Sequence, residues 1–459
     1  MMAGAPAAID TFRDPAGSLR IEGDVVKRRV KPEMARAALR FLRSSLAQEW
    51  VAQGRLIATS ERGSESGELL LEHPRVFFPS YPWEWTPDAW IAAGELTLDL
   101  CEALVGEGLI LKDATPLNVL FEGTRPVFVD VLSIDARDLE SPLWLAYAQF
   151  VRTFLLPLAA YRYLGWPLAA SLQKRDGYEP GDLYPYLGRL ERWREPFRSL
   201  VTLPFLFEKR SKPTSATTKL RQSPEVAAAV LRRNLRRLRT LLGKLKPAGH
   251  DSRWSEYPES ADHYTDEDHK QKQEFVREAL MRAQPRQVLD LGANTGVYSR
   301  IAAGVGASVI AWDTDLGASE RNWKQAAAGR VEIQPLIADP ARPTPAMGWR
   351  NREWLSLLDR AQGRFDCVMM LGLIHHLLVT DQIPLHEVAA LVRDLTTRWA
   401  VVEWVPGTDP RFAELVRGRD NLYEHLNEAE FVAAVEKHFS IATQERLKNG
   451  RVLFLLEAK

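Results

Sequence analysis

The chain has 459 residues, 46% of them hydrophobic, enough for two or three cores, because a single core stops growing near about 250 to 300 residues. Lys plus Arg and Asp plus Glu both total 60, so the formal charge is zero, and no global pull toward nucleic acid or anionic membrane exists; nucleic acid is not an expected partner. Cys101 and Cys367 are the two cysteines, each in an apolar context, which excludes a disulfide scaffold and a zinc ribbon.

Residues 1–17 (MMAGAPAAIDTFRDPAG) are expected to be flexible. They lack a charged segment followed by an apolar one, so no secretory signal is expected and the cytoplasm is the default compartment. Residues 18–205 form an α+β domain by pattern. RIEGDVVKRRV, ELLLEHPRVFF and PVFVDVLSI predict strands; MARAALRFLRSSLAQEWVAQ and WIAAGELTLDLCEALVGEG predict helices. The apolar stretch 142–172 is broken by Arg152, Pro157 and Arg162 before the roughly 20 residues a span requires, so it predicts buried helix and no membrane span.

Within this domain, GLILKDATPLNVLFEGTRPVFVDV sets Asp113 and Asn118 five residues apart, with Asp130 ending a strand twelve residues later. The stretch resembles the catalytic loop and metal-binding Asp of kinase-like and aminoglycoside-phosphotransferase-like proteins. That resemblance implies that Asp113 positions an acceptor hydroxyl while Asn118 and Asp130 hold magnesium. The sequence also departs from the pattern: Leu111 stands in place of the family's His, DVLS replaces DFG, no glycine-rich phosphate loop precedes, and Lys27 is the candidate phosphate-binding lysine. An active phosphotransferase, a degenerate substrate-binding or regulatory domain, and an unrelated fold with a self-bonded Asx turn all remain open.

Residues 206–261 change character. KRSKPTSATTKLRQSP is a polar, proline-punctuated linker, and EVAAAVLRRNLRRLRTLLGKLK, a helix over 225–246, sets Val226, Val230, Leu231, Leu235, Leu238, Leu241, Leu242 and Leu245 at helical spacing opposite Arg232, Arg233, Arg236, Arg237 and Arg239. That basic face is either a docking surface for phosphates or anionic lipid, or a solvated outer face whose apolar stripe packs on a neighbour.

Residues 262–459 alternate strand and helix. Thr265 with Asp268 predicts a capping box opening a helix to about Met281. QVLDLG, SVIAW, RVEIQPLIA, FDCVMML and RWAVVEWV follow as strands with helices between, and FSIATQERL and GRVLFLLEA predict a terminal hairpin. Such alternation means a doubly wound, Rossmann-like α/β sheet, and the hairpin closes its edge antiparallel.

The first of these strands breaks into GANTG, where Gly292 and Gly296 permit a sharp turn and close backbone approach to a ligand. This is not GxGxxG, and taken alone it is consistent with either a nucleotide-like ligand or a tight strand-to-helix turn. Asp313 ends the next strand, 21 residues after Gly292, where a carboxylate can accept from both ribose hydroxyls. Asp339 ends the third, in reach of an adenine amino group.

In motif order and spacing, DLGANTG, WD, AD and FDCVMMLGLIHHL resemble the class I S-adenosylmethionine-dependent methyltransferases over roughly the last 200 residues. The resemblance implies S-adenosylmethionine as cofactor, with Asp290, Gly292 and Gly296 framing its methionine end, Asp313 the ribose and Asp339 the adenine, and with Ala293, Asn294 and Leu371 also binding the cofactor. It also implies a seven-stranded sheet with a reversed last hairpin. A nicotinamide dinucleotide is the other ligand considered; the missing third glycine and the lack of hydride-transfer machinery stand against it.

Methyl transfer needs in-line positioning more than elaborate acid–base chemistry, so the donor is implied and the acceptor stays open: an O, N or C atom of a small-molecule or carrier-held metabolite. The Asn/Asp-Pro-Pro-aromatic tetrad of amino-methylating enzymes is absent. His375 and His376 stand in its place, either as a base for the attacking group or as a cap and a packed ring. Glu403 ends the fifth strand, as a base, a substrate acceptor, or a partner of Arg398 or Arg411. Trp349, Arg350, Arg352 and Glu353, with Tyr423 and His425, lie in loops that either hold substrate or are solvated. The functional alternative is a kinase-like binding or phosphotransferase module whose C-terminal domain senses the cofactor.

Overall fold

The computed structural model describes residues 16–65, 67–210, 221–247, 266–417, 423 and 426–459; the expectations for Thr265 and His425 lie outside them. The chain divides into two compact units, Met1–Ala248 and Gly249–Lys459.

In the first unit, strands β1 (Gly17–Glu22), β2 (Val25–Val30), β3 (Ser60–Glu65) and β4 (Glu68–Pro74) form an antiparallel sheet in the order β1-β2-β4-β3. The single strand predicted over 20–30 is a hairpin, turning at Gly23 with φ 60°. The single helix predicted over 34–53 is two, Pro32–Leu42 and Ser45–Ala52, because the Ser44 hydroxyl accepts from the Ala47 amide at 3.2 Å and starts a new helix. Beyond them, the helix Pro87–Gly106 is capped by Thr86 and buries Trp90, Leu96, Leu100 and Leu104. Two short ladders follow, β5 (Leu109–Leu111) with β8 (Ile134–Ala136) and β6 (Val119–Glu122) with β7 (Arg125–Phe128), and they hold the loop 112–118 between them. The apolar stretch after residue 142 folds as short, mostly buried helical turns. No described helix is long and apolar enough to cross a membrane.

The basic helix, Pro224–Lys244, belongs to this unit and lies along Pro87–Gly106, with Leu231, Leu235, Leu238 and Leu242 buried. Arg236 pairs with Glu102 at 3.3 Å, and Arg239 with Asp99 and Glu102. Its leucines are therefore packed while Val226 and Val230 stay exposed, and part of its basic face is spent on the neighbouring helix.

The second unit is a seven-stranded sheet of β9 (Gln287–Leu291), β10 (Ser308–Asp313), β11 (Ile333–Ile337), β12 (Phe365–Met370), β13 (Thr396–Trp404), β14 (Phe439–Arg446) and β15 (Val452–Ala458), in the order β11-β10-β9-β12-β13-β15-β14. Strands β9 to β13 pair in parallel, and β15 runs antiparallel to both β13 and β14. The central strands are apolar almost throughout because helices cover both faces; Val288, Val309, Cys367, Met369, Val401 and Leu455 share one core cluster. The chain leaves β9 toward β10 on one side and returns through β12 on the other. In such sheets ligands bind at that reversal, beyond the carboxyl ends of β9 and β12.

Candidate cofactor and acceptor site

At the end of β9 the chain makes the turn anticipated from GANTG. Gly292, Asn294 and Gly296 have φ of 71°, 50° and 78°, left-handed values that glycine adopts freely and asparagine tolerates. The Gly292 and Ala293 amides donate to the Trp312 carbonyl at 2.9 and 3.1 Å, tying the loop to β10. A Cβ on Gly296 would overlap the side-chain amide of Asn322, and one on Gly292 would press on Leu373 at 3.3 Å. Gly296 then caps the helix Val297–Gly304, with no side-chain cap.

Asp313 sits at the end of β10, its carboxylate accepting from the Asn294 amide at 2.7 Å and the Asp315 amide at 2.8 Å. Both loops thus fix its orientation, and burial raises its pKa above the ordinary carboxylate value. Asp339 follows β11; it accepts from the Ala341 amide at 2.8 Å and from Arg342 at 2.9 Å, and Arg342 also reaches Asp381 at 2.6 Å. Ala293 and Leu371 are buried in the core cluster under this loop.

Asp290 is buried within β9 and accepts from the Ser299 hydroxyl at 2.6 Å. Burial pushes its pKa up to about 6, against the opposing Ser299 bond. The folded state therefore holds this proton more tightly than the unfolded chain, and the group's contribution is lost as pH rises from about 4 through about 6. Relative to wild type, Asp290→Asn is expected to gain on the order of 2 to 3 kcal/mol of stability between pH 3.5 and pH 8, and so to melt higher than wild type at pH 8 by more than it does at pH 3.5. Melting curves at the two pH values check this; a pH-independent difference would contradict it.

His375 and His376 follow β12, their rings 4.3 Å apart. His375 is buried with Nδ1 lacking a hydrogen-bond partner, and burial, with His376 and Arg451 nearby, pushes its pKa down to about 3. His376 opens a π-helical turn, His376–Thr380, and burial lowers its pKa as well. Both rings are neutral at pH 7, and His376 is the less enclosed of the two. The Tyr423 hydroxyl donates to the Val379 carbonyl of the same turn at 3.4 Å.

Glu403 is fully buried, and its partners differ from those anticipated. Lys272 from the helix Asp266–Ala283 reaches one oxygen at 2.7 Å and Arg451 the other at 3.4 Å, while Arg451 also binds Asp409 at 2.7 Å. Arg398 lies instead against Glu457 and Arg411 against Glu414. With a cation on each oxygen, the buried Glu403 ties the helix Asp266–Ala283 and β13 to Arg451, the residue before β15. Lys272, Ser299, Asn322 and Arg451 were not found from sequence. In the insertion after β11, Gly348 leads into Arg350 and Asn351, both at left-handed φ, and the Trp349 amide donates to Glu353 at 2.9 Å. Trp349, Arg350 and Arg352 are exposed.

In the first unit, Asn118 donates to the Ser133 hydroxyl at 3.1 Å, Ser133 donates to Asp130, and Arg28 meets Asp130 at 2.7 Å. Burial raises the Asp130 pKa, but Arg28 and Ser133 outweigh it and hold the carboxyl below its ordinary value. Lys27, the residue anticipated for phosphate, pairs with Glu22 at 2.6 Å. Side chains alternate along a strand, so Arg28, one position on, turns toward Asp130. A magnesium ion at Asp130 would have to displace that guanidinium. The residues do not fit the metal.

No protein-family model matches the chain. It is similar to nodulation protein NoeA of Rhizobium meliloti (strain 1021), 28% identical over 466 residues, covering 97% of this chain and 95% of NoeA. Among solved structures it is similar to the magnesium protoporphyrin IX methyltransferase ChlM of Synechocystis PCC 6803, with 18% identity and TM-score 0.31 over 42% of this chain and 84% of ChlM. It is also similar to the N-methyltransferase NodS of Bradyrhizobium japonicum WM9, with 9% identity and TM-score 0.32 over 42% of this chain and 97% of NodS.

Proposed function

We propose that the second unit is an S-adenosylmethionine-dependent methyltransferase acting on an O, N or C atom of a small-molecule or carrier-held acceptor. The observation that carries this reading is the left-handed turn 292–296 locked to Asp313: a glycine-lined cradle beside a pre-oriented carboxylate, at the switch point of a parallel sheet. The cofactor, when bound, supplies a methyl group on a positively charged sulfur. The chain's own residues do the rest. Asp313 accepts from ribose hydroxyls, the helix start after Gly296 presents amides to a carboxylate, and Asp339 faces the adenine edge. His376 takes the proton of the attacking group onto a neutral ring nitrogen. We assign Glu403 to structure and the first unit to binding or regulation, because Arg28 already neutralises Asp130.

The test is calorimetric titration of the full chain with S-adenosylmethionine and, separately, with magnesium-ATP. Micromolar binding of the first alone supports the reading; binding of ATP alone overturns it. Asp313→Ala is expected to weaken cofactor affinity at least tenfold, about 1.4 kcal/mol, and unchanged affinity would remove the ribose assignment. His376→Ala is expected to slow turnover by about a hundredfold with cofactor affinity kept; equal loss of both would make the residue structural.

A further inference from the structure

In the first unit, residues 188–194 form one compact helical turn, closed by the Arg192 amide on the Gly188 carbonyl at 3.1 Å and the Trp193 amide on Leu190 at 3.2 Å. Leu190 and Trp193 are three residues apart on this turn, so they share a face, and they are 76% and 57% exposed. Arg189 and Arg194 flank them, exposed, and neither pairs with a carboxylate among the described residues. The nearby carboxylates are engaged: Glu191 accepts from the Gly188 amide at 2.9 Å, and Glu195 holds Arg198 at 3.0 Å and Ser199. Arg192 is stacked on Tyr184. Tyr186, 65% exposed, lies just before the turn.

We propose that this turn docks on an anionic lipid surface, with Leu190 and Trp193 entering the headgroup region and Arg189 and Arg194 meeting lipid phosphates. The combination of an aliphatic and an aromatic tip with flanking cations is what an interfacial anchor requires. A protein partner fits less well. The three exposed side chains offer on the order of 400 Å², short of the roughly 800 Å² each partner contributes to a stable interface. Lipid insertion has no such area threshold, because it gains with each buried group. Residues 188–198 carry Arg189, Arg192, Arg194 and Arg198 against Glu191 and Glu195, so the surface is locally positive although the chain as a whole is neutral.

The experiment is sedimentation of the full chain with phosphatidylcholine vesicles containing about a third phosphatidylglycerol, and with phosphatidylcholine alone, read by bound fraction and by tryptophan emission. Wild type is expected on the anionic vesicles only, with a blue shift and with weakening as salt rises. Leu190→Ser/Trp193→Ser and Arg189→Ser/Arg194→Ser are each expected to lower partitioning by about tenfold or more, with melting temperatures unchanged because all four side chains are exposed. Absence of wild-type binding, as a protein-docking surface would give, overturns the proposal. So does equal binding to both vesicle types, or wild-type binding by both variants.

Discussion

Gly296→Ala is expected to abolish detectable cofactor binding and to destabilise the second unit by about 3 kcal/mol. Two costs combine. Alanine at φ 78° costs about 1 to 2 kcal/mol, and its Cβ would overlap the amide of Asn322, which is itself buried. The helix start and the Asn294 amide that orients Asp313 would move together, so affinity falls with stability. A double variant separates the causes: adding Asn322→Ala removes the overlap but leaves the backbone cost, and should restore part of the stability. Urea unfolding and calorimetry measure both; a Gly296→Ala protein with wild-type affinity would show that the loop has no part in binding.

The second large effect concerns Glu403. Glu403→Ala leaves Lys272 and Arg451 buried with Asp409 as the remaining anion of the network, and breaking a buried pair from one side costs about 3 to 5 kcal/mol. The expected fall in melting temperature is on the order of 10 °C. Glu403→Gln keeps the volume and loses the charge, and should show most of that fall. Were Glu403 the proton acceptor, Glu403→Gln would instead stop turnover at an unchanged melting temperature. Calorimetric melting beside a turnover assay distinguishes the two.

The α/β alternation and the cradle were legible because both rest on local rules: buried parallel strands read as apolar runs, and GANTG sits where a strand must turn into a helix. What was missed rests on tertiary packing. Lys272 and Glu403 are 131 positions apart, and no spacing rule links them, although a lysine on the buried side of a helix and an arginine opening the apolar run RVLFLLEA were faint signals. Ser44 hid a helix break because a cap and a helix-interior serine look alike until the backbone is known. Lys27 was the wrong neighbour for a reason that strand parity contains: Arg28 and Val30 are buried on one face of β2 while Arg29 is exposed, and that alternation points to Arg28.

The position of β15 has a consequence for synthesis. β15 lies between β13 and β14 although it follows β14 in the chain, so β14 has no place in the sheet until residues 452–458 have left the ribosome. Until then the edge of β13 offers open hydrogen-bonding groups to any passing strand, and Glu403 and Lys272 await the charge that Arg451 brings. A nascent chain paused before Arg451 is therefore a sticky, electrostatically unfinished species, and chaperone dependence should be concentrated in that last interval of synthesis.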